Sequence, residues 1–213
     1  MSFIPLAADG WRFILPLLVG GLTFLFIKES WSVVSGIILL LAGGFCAYFF
    51  RDFNRATVID ESLIYSPGDG RVLAVEPVQE GPLKGMNLIR IFLSVLDGHV
   101  QRSPVQARVD KIIYTKGVFL DARNPNAHFQ NERNALRLVS KQGTLIVTQI
   151  AGLIARRIVC WSKEGDELKQ GQRFGLIRFG SQVDVHVPSN VQISVKPGDR
   201  VVGGLTVLGR WSR

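Results

Sequence analysis

Two long apolar runs open the chain, and short alternating segments follow them. From Phe13 to Ile27 no residue is charged, Lys28 and Glu29 interrupt, and a second uncharged run, SWSVVSGIILLLAGGFCAYFF, extends from Ser30 to Phe50. The second run has the roughly 20 apolar residues that a bilayer-spanning helix needs. The first is shorter and contains Pro16, so it could span thinly, re-enter, or lie in the interface. A signal peptide fits poorly, because the basic leading segment is nearly missing and a second apolar run follows directly. The alternative, a helical hairpin buried in a soluble core, would need a larger core than a domain of this size offers. Gly43 and Gly44 suit close helix packing. Trp11, Trp31 and Tyr48 sit near the run ends, where interfacial aromatics belong.

Beyond Arg55 the period changes from helical to two. GRVLAVEPV, NLIRIFLSV, ARVDKIIYTKG, ALRLVS, GTLIVTQIAG, RRIVCW, FGLIRFG, VDVHVP, VQISV and RVVGGLTVLG all read as strands. Turn signals separate them, among them Ser66-Pro67-Gly68-Asp69-Gly70, Lys141-Gln142-Gly143, Lys163-Glu164-Gly165-Asp166 and Pro197-Gly198-Asp199. The expected fold is mainly β, a sandwich or partly closed barrel, preceded by an N-terminal α-helical membrane hairpin. Residues 1–55 would form the hairpin and residues 56–213 the β-rich catalytic domain. The polar stretch Leu120 to Asn134, interrupted by Pro125, reads as one long loop.

Composition adds direction to this outline. The formal charge is +8, which favours an anionic partner. The basic residues are not interleaved with aromatics and no nucleic-acid motif is present, so an acidic membrane surface is the better fit. Arg12 before the first run, with Arg51 and Arg55 after the second, places both hairpin ends in the cytoplasm. The two cysteines, Cys46 and Cys160, give no disulfide framework.

Ordinary catalytic apparatus is missing. The three histidines, His99, His128 and His186, are far apart, and none is spaced with a cysteine as metal ligands would be. There is no glycine-rich phosphate loop and no nucleophile elbow. What stands out is Gly180-Ser181 inside FGLIRFGSQVDVHVP, where a glycine interrupts an apolar alternation. A bend or bulge explains such a pair. So does a reactive one: a serine hydroxyl can attack the carbonyl before it, and glycine leaves that carbonyl uncrowded and its backbone free to strain. Elimination of the resulting ester would cut the chain and turn the serine into a pyruvoyl group. Its ketone can form a Schiff base with an amine and act as an electron sink.

The segments SPGDG at Ser66–Gly70, FLSVLDGHVQRSPV at Phe92–Val105, NERN at Asn131–Asn134, QIAGLIARRIV at Gln149–Val159 and GQRFGLIRFGSQVDVHVP at Gly171–Pro188 together resemble the short, membrane-associated form of the phosphatidylserine decarboxylase family. The resemblance covers nearly the whole chain. It implies self-cleavage between Gly180 and Ser181, giving a β subunit of residues 1–180 and an α subunit of residues 181–213 that stay together as a heterodimer and could dimerise further. It implies a covalent pyruvoyl group derived from Ser181, no metal, and phosphatidylserine and membrane lipids as partners, at the cytoplasmic side of the cell (inner) membrane. Asp69 matches the aspartate of the family's SP-x-DG motif, and His99 the first histidine after its LS-x-x-D segment. Long-form relatives carry a second histidine where this chain has Arg102, so His99 does both jobs or another group shares them.

From the residues alone the roles are reasonable: a neutral histidine could take the Ser181 proton and a carboxylate could orient it. Yet Asp69 between glycines also suits a plain turn, and His99 after Asp97-Gly98 a surface hairpin. Arg102, Glu132 and Arg156 are candidates for substrate binding. Glu132 and Arg133 also suit a structural salt link, and of the adjacent Arg156 and Arg157 one should face solvent. His128 reads as an exposed loop residue. His186, an odd number of residues from Ser181, falls on the opposite face of a regular strand. Two other readings stay open: a pyruvoyl decarboxylase of another serine phospholipid, and a membrane-tethered adaptor or carrier. SPGDGRVLAV and VKPGDRVVGGLTVLG resemble the turns of biotinyl- or lipoyl-type β domains, though neither has a lysine at its hairpin tip flanked by the usual methionine or hydrophobic context.

Overall fold

A computed structural model of the chain describes residues 5–27, 29–121, 123–124, 126–153, 157–178 and 181–212. They divide into two compact units, 1–54 and 55–213.

In the first unit the two apolar runs are the helices α1 (Trp11–Phe26) and α2 (Ser30–Phe49), both long and apolar enough to cross a membrane. Pro16 lies inside α1 without interrupting it. The helices meet through glycine. A Cβ on Gly21 would stand 3.0 Å from the Gly36 carbonyl oxygen, and one on Gly36 would stand 2.9 Å from that of Gly21. The close approach lets neighbouring leucines interlock, the usual use of small residues where water supplies no driving force. Gly43 packs against Leu18 in the same way, but Gly44, expected to share that role, faces open space. The hairpin ends are tied together: Ala7 N–H donates to the Phe50 carbonyl at 2.8 Å and Asp52 N–H to that of Pro5 at 2.7 Å. The outer faces, with Leu15, Val19, Phe26, Ile38 and Leu41, are exposed, so this hairpin is not a buried core element.

The second unit contains fourteen described strands. In chain order they are β1 (Leu63–Tyr65), β2 (Gly70–Pro77), β3 (Met86–Leu93), β4 (Val100–Arg102), β5 (Ala107–Thr115), β6 (Arg133–Val139) and β7 (Thr144–Ala151). They continue with β8 (Arg157–Cys160), β9 (Glu167–Leu168), β10 (Arg173–Arg178), β11 (Ser181–Pro188), β12 (Val191–Ile193), β13 (Arg200–Val201) and β14 (Val207–Trp211). Eight of them form one curled, half-barrel sheet in the order β13-β2-β3-β11-β7-β6-β5-β9, and every pairing in it is antiparallel. Two three-stranded sheets, β4-β10-β8 and β1-β14-β12, complete the unit. The mainly β, partly closed architecture is the expected one.

Each alternating segment of the sequence is a strand. Three elements lacked that signal, β1, β4 and β9, because strands of two or three residues show no period. The stretch 120–134 is not one loop: it holds a helical turn, α3 (Ala127–Gln130), and its last residues belong to β6. RVVGGLTVLG is split by a turn into β13 and β14.

The period of two decides which side chains reach the core. Val183, Val185 and Val187 of β11 are fully buried in the main cluster with Ile89, Ile91 and Leu136, while Gln182, Asp184 and His186 point to the other side. No register shift interrupts β11 against either neighbour, so Ser181 lies on the core face and His186 on the opposite one. Backbone crowding also sets sequence. A Cβ on Gly70, where β2 begins, would stand 2.1 Å from the Phe92 carbonyl oxygen. The obstacle is main chain and cannot rotate away. Gly70→Ala should therefore destabilise the β2–β3 pair by about 3 kcal/mol, read as a lowered denaturation midpoint of the detergent-solubilised chain.

Candidate active site

Three segments far apart in sequence meet at one end of the large sheet. β3 and β7 both run antiparallel to β11 and flank it, so their C-terminal ends lie beside its start: Ser181 is opposite Leu93 on one side and Ala151 on the other. Ser181 is fully buried, and its Oγ finds no hydrogen-bond partner among the described residues. Buried hydroxyls are nearly always bonded, so this one needs a reason. The chain leaves β10 at Arg178 and enters β11, in a different sheet, at Ser181. Gly180 and Arg156, both singled out in the sequence, lie outside the described residues, as does the question of a bulge at Gly180.

The SPGDG turn packs beside this corner. A Cβ on Gly68 would lie 3.3 Å from a Leu93 methyl and 3.5 Å from one of Val183, the neighbours of Ser181. Ser66 closes the turn by donating its hydroxyl to the Gly68 carbonyl at 2.7 Å. Asp69 is no free turn residue. Its two oxygens accept from the two terminal nitrogens of Arg55, each at 2.6 Å, and Oδ1 also accepts the Gly203 N–H at 2.8 Å. This is the bidentate geometry that makes arginine–carboxylate pairs strong. Arg55, which the sequence suggests only as a charge flanking the apolar run, is thus a fixed member of the site.

His99 stands between the end of β3 and β4 and is buried, not on the surface. Its next residue, Val100, pairs with Leu176 of β10, two residues before Arg178. The histidine therefore sits alongside the strand that leads into Ser181. Asp69 borders it through the main chain: a Cβ on Gly98 would stand 2.6 Å from Asp69 Oδ2. The imidazole is oriented by another group. Its Nδ1 lies 3.0 Å from the Asp97 carbonyl oxygen, which can only accept, so Nδ1 carries the proton and Nε2 is the basic nitrogen. Asp97 is itself fixed, accepting from Ser94 N–H at 2.9 Å and from Arg200 at 2.6 Å. In the sequence Asp97 reads only as a turn residue before His99; the structure adds that its side chain closes the turn on Ser94 and its carbonyl meets the imidazole.

The binding candidates are more scattered. Arg102 is buried at the far end of β4 from His99, about 10 Å along the strand, and donates to the Gly171 carbonyl at 3.1 Å. Its own N–H bonds to the Pro67 carbonyl, so it borders the SPGDG turn rather than Ser181. Glu132 reaches the Ser181 row through its backbone, its carbonyl accepting from Ala151 N–H at 2.9 Å. Its carboxylate accepts a hydrogen bond from the Tyr114 hydroxyl, which pushes that phenol up to about 12. Arg133 bonds the Phe129 carbonyl instead of forming the salt link with Glu132. Arg157 is exposed and pairs across from Arg178. Asn131 makes the loop rigid: it exchanges hydrogen bonds with both backbone groups of Leu120 and donates to the Ala151 carbonyl at 2.7 Å.

The far side of β11 gathers a second set of titratable groups. Asp184 is opposite Arg90 of β3 and Thr148 of β7, and it accepts from the Gln182 amide at 2.5 Å. Arg90 also reaches Glu76 at 3.2 Å and lies 3.5 Å from His128 Nδ1, so His128 is part of this cluster. Burial pulls His186 down to about 4, with a further push from His128. Among the described residues no three His, Cys, Asp or Glu side chains are grouped to hold a metal.

Known proteins with this sequence pattern are informative. The family profile described as phosphatidylserine decarboxylase matches residues 42–209. A protein of Geotalea uraniireducens named phosphatidylserine decarboxylase proenzyme is 44% identical over 207 residues, covering 96% of this chain and 96% of the relative. One of the same name from Beijerinckia indica subsp. indica is 44% identical over 211 residues, covering 96% of this chain and 88% of the relative.

Asp184 supplies a test of the electrostatics. Burial raises its carboxyl to about 7, against the lowering effects of the Gln182 amide and Arg90. Unfolded, the same group titrates near its ordinary value of about 4. Between those limits the folded chain holds a proton that the unfolded chain has lost, so stability falls as pH rises from about 4 to about 7 and the penalty is complete above that. Asp184→Asn removes the penalty and keeps the Gln182 contact. It should leave stability at pH 4 nearly unchanged and raise it at pH 8 by up to about 3–4 kcal/mol, measured by denaturant unfolding across pH.

Proposed function

The chain belongs to the phosphatidylserine decarboxylase family, and from that premise we propose that it cuts itself between Gly180 and Ser181, converts Ser181 to a pyruvoyl group, and then decarboxylates phosphatidylserine to phosphatidylethanolamine. The observation that carries this reading is the Ser181 hydroxyl, buried and without a partner among the described residues at the first position of a central strand. An unpaired buried hydroxyl costs about 1–3 kcal/mol, and costs of that kind persist where chemistry requires them. Ser181 fits as the source of the group for the same reason: nothing described competes for its oxygen.

Self-cleavage needs only the chain and one water. The Ser181 Oγ adds to the Gly180 carbonyl carbon and the peptide C–N bond breaks, leaving an ester. Loss of the Ser181 Cα proton then breaks the Cβ–Oγ bond, frees the Gly180 carboxylate and leaves a dehydroalanine. Water replaces its nitrogen, which departs as ammonia, and a ketone remains. The steps call for a base, and His99 Nε2 suits that role because Asp97 holds the other nitrogen protonated. Asp69 acts as a positioning residue. Clamped by Arg55, it holds the SPGDG turn against Gly98 and so fixes the backbone that carries His99.

The pyruvoyl ketone supplies an electrophile for the substrate amine and a sink for the electron pair left by carbon dioxide. The chain's part is to bind, orient and exclude water. Leu93, Ala151 and Val183 give Ser181 an apolar wall, a setting that favours loss of a charged carboxylate. Arg102, Glu132 and Arg156 are the candidates for holding the head group. The helices α1 and α2 would anchor the enzyme in the inner membrane with the β-rich unit on the cytoplasmic side, and the positive charge would gather anionic lipid.

Intact mass under denaturing conditions tests the cut. Two chains are expected, ending at Gly180 and beginning at residue 181, the smaller lighter by one ammonia than its serine-headed form. Ser181→Ala should stay a single chain. A smaller piece at full serine mass would mean ordinary proteolysis and would sink the pyruvoyl reading. His99→Ala should slow the cut by about 10²–10⁴-fold, followed on gels after synthesis. The matured chain in detergent micelles should release carbon dioxide from phosphatidylserine, and a cleaved chain that releases none would overturn the assigned reaction.

A further inference from the structure

We propose that the end of the β-rich unit around Ser181 is itself a lipid-docking surface, with loop tips that insert into an anionic bilayer independently of the two apolar helices. The placement follows from the ladders. Leu96 lies three residues past the end of β3 and Leu153 two past the end of β7, and both strands end beside Ser181. Val118 joins the same end, since its carbonyl accepts the N–H of Glu132, whose own carbonyl accepts from Ala151. Leu205 completes the set: its turn donates Gly204 N–H to the Ser66 carbonyl and lies against Gly68.

These four side chains come from four separate loops, yet all are exposed: Leu96 60%, Leu153 59%, Val118 50% and Leu205 48%. Single exposed leucines are ordinary. Four exposed apolar side chains on separate segments that meet at the end of the sheet where Ser181 is buried are a pattern. Exposed apolar side chains on separate segments suit penetration of a soft interface better than docking on a rigid partner, which would favour a contiguous flat patch. The charge around them fits an anionic surface. The carboxylates at this end are engaged within the chain: Asp69 by Arg55, Asp97 by Arg200, Asp121 by Arg123 and Glu132 by Tyr114. Lys116 and Arg157, both exposed, add positive charge beside Val118 and past Leu153. The occupant is thus the head-group and upper acyl region of an anionic bilayer. The inference takes from the proposed function only that the chemistry at Ser181 acts on a lipid. A lipid with two acyl chains would then need to move only partly out of the bilayer to reach that residue.

The test uses the full chain, with Cys46 and Cys160 changed to serine, reconstituted into vesicles of phosphatidylcholine and phosphatidylglycerol. Single cysteines are introduced as Leu96→Cys, Leu153→Cys or, in the β6–β7 turn at the other end of the sheet, Gln142→Cys, and are labelled with an environment-sensitive dye. Lipids carrying a quencher high on the acyl chain should quench the labels at 96 and 153 several-fold more than the label at 142, and less so without phosphatidylglycerol. Equal quenching at all three positions would overturn the proposal. So would burial of the labels in detergent that grows with protein concentration, which would assign the tips to a second copy. As a second readout, Leu96→Ser with Leu153→Ser should lower turnover on vesicles by about tenfold or more while leaving turnover of soluble short-chain phosphatidylserine unchanged. Equal losses on both substrates would count against docking. The quenching needs no turnover, so labels that insert in a chain releasing no carbon dioxide would sink the proposed function and leave the docking surface standing.

Discussion

The backbone ladders on the two edges of β11 constrain everything else in the β-rich unit. From Ser181 to Pro188 each residue is paired with β3, and from Ser181 to His186 also with β7. A strand held on both edges cannot shift by one residue without turning all its side chains over, and here that would carry three valines out of the core and Asp184 into it. The register therefore fixes where Ser181 stands, at the corner between two sheets, without any contact from its own hydroxyl. It also keeps the titratable cluster of Asp184, Arg90, His128 and His186 on the far face of the sheet, away from Ser181.

The second fixed point is the pair of ionic clamps around the loops. Arg55 holds Asp69 and Arg200 holds Asp97, joining residues 14 and 103 positions apart. Exposed ion pairs contribute little, but the Arg55–Asp69 pair is largely buried and doubly bonded, and Asp97 is buried as well. Removing one partner from such a pair leaves an uncompensated charge. Asp69 lies against the main chain at Gly98, while a carbonyl, not a carboxylate, meets the Nδ1 of His99.

How much of this is legible in the sequence depends on the range of the interaction that produced it. The strands are legible because alternation is local, and the helices because an uncharged run is local. GRVLAVEPV and VDVHVP need no partner to declare their faces. The pair Gly180-Ser181 can be noticed in the sequence but not weighed, since a bend and a reactive pair look alike there. Asp69 and His99 are candidates through the family resemblance, and taken alone each reads better as a turn or surface residue. Arg55 reads in the sequence only as a charge beside an apolar run, because its partners Asp69 and Gly203 lie 14 and 148 positions away. Asn131 gives no sign in the sequence because its work is done on backbone groups, which leave no pattern in side-chain type. Arg102, aligned with a histidine of long-form relatives, lies at the other end of a three-residue strand from His99, and alignment by position could not foresee that separation.

The topology also bears on what the proposed cut would do to the fold. Beyond residue 180 the chain has no module of its own. β11 is enclosed between β3 and β7, β13 adds to the edge of β2, and β14 pairs with β1 on one side and β12 on the other. Val183, Val185, Val187, Leu208 and Trp211 are buried in the same cluster as Ile64, Ile89 and Leu136 from the larger piece. Separating the two pieces would break four ladders and expose that shared core together. A cut at the corner before Ser181, by contrast, removes one covalent bond between two strands that already lie in different sheets. It releases the reactive residue as a chain end without releasing the strand that holds it. The same arrangement explains why such a strand must begin, and not end, at the reactive residue. The new terminus would then lie at the first position of the strand, at the end of the sheet, while all that follows stays paired inside.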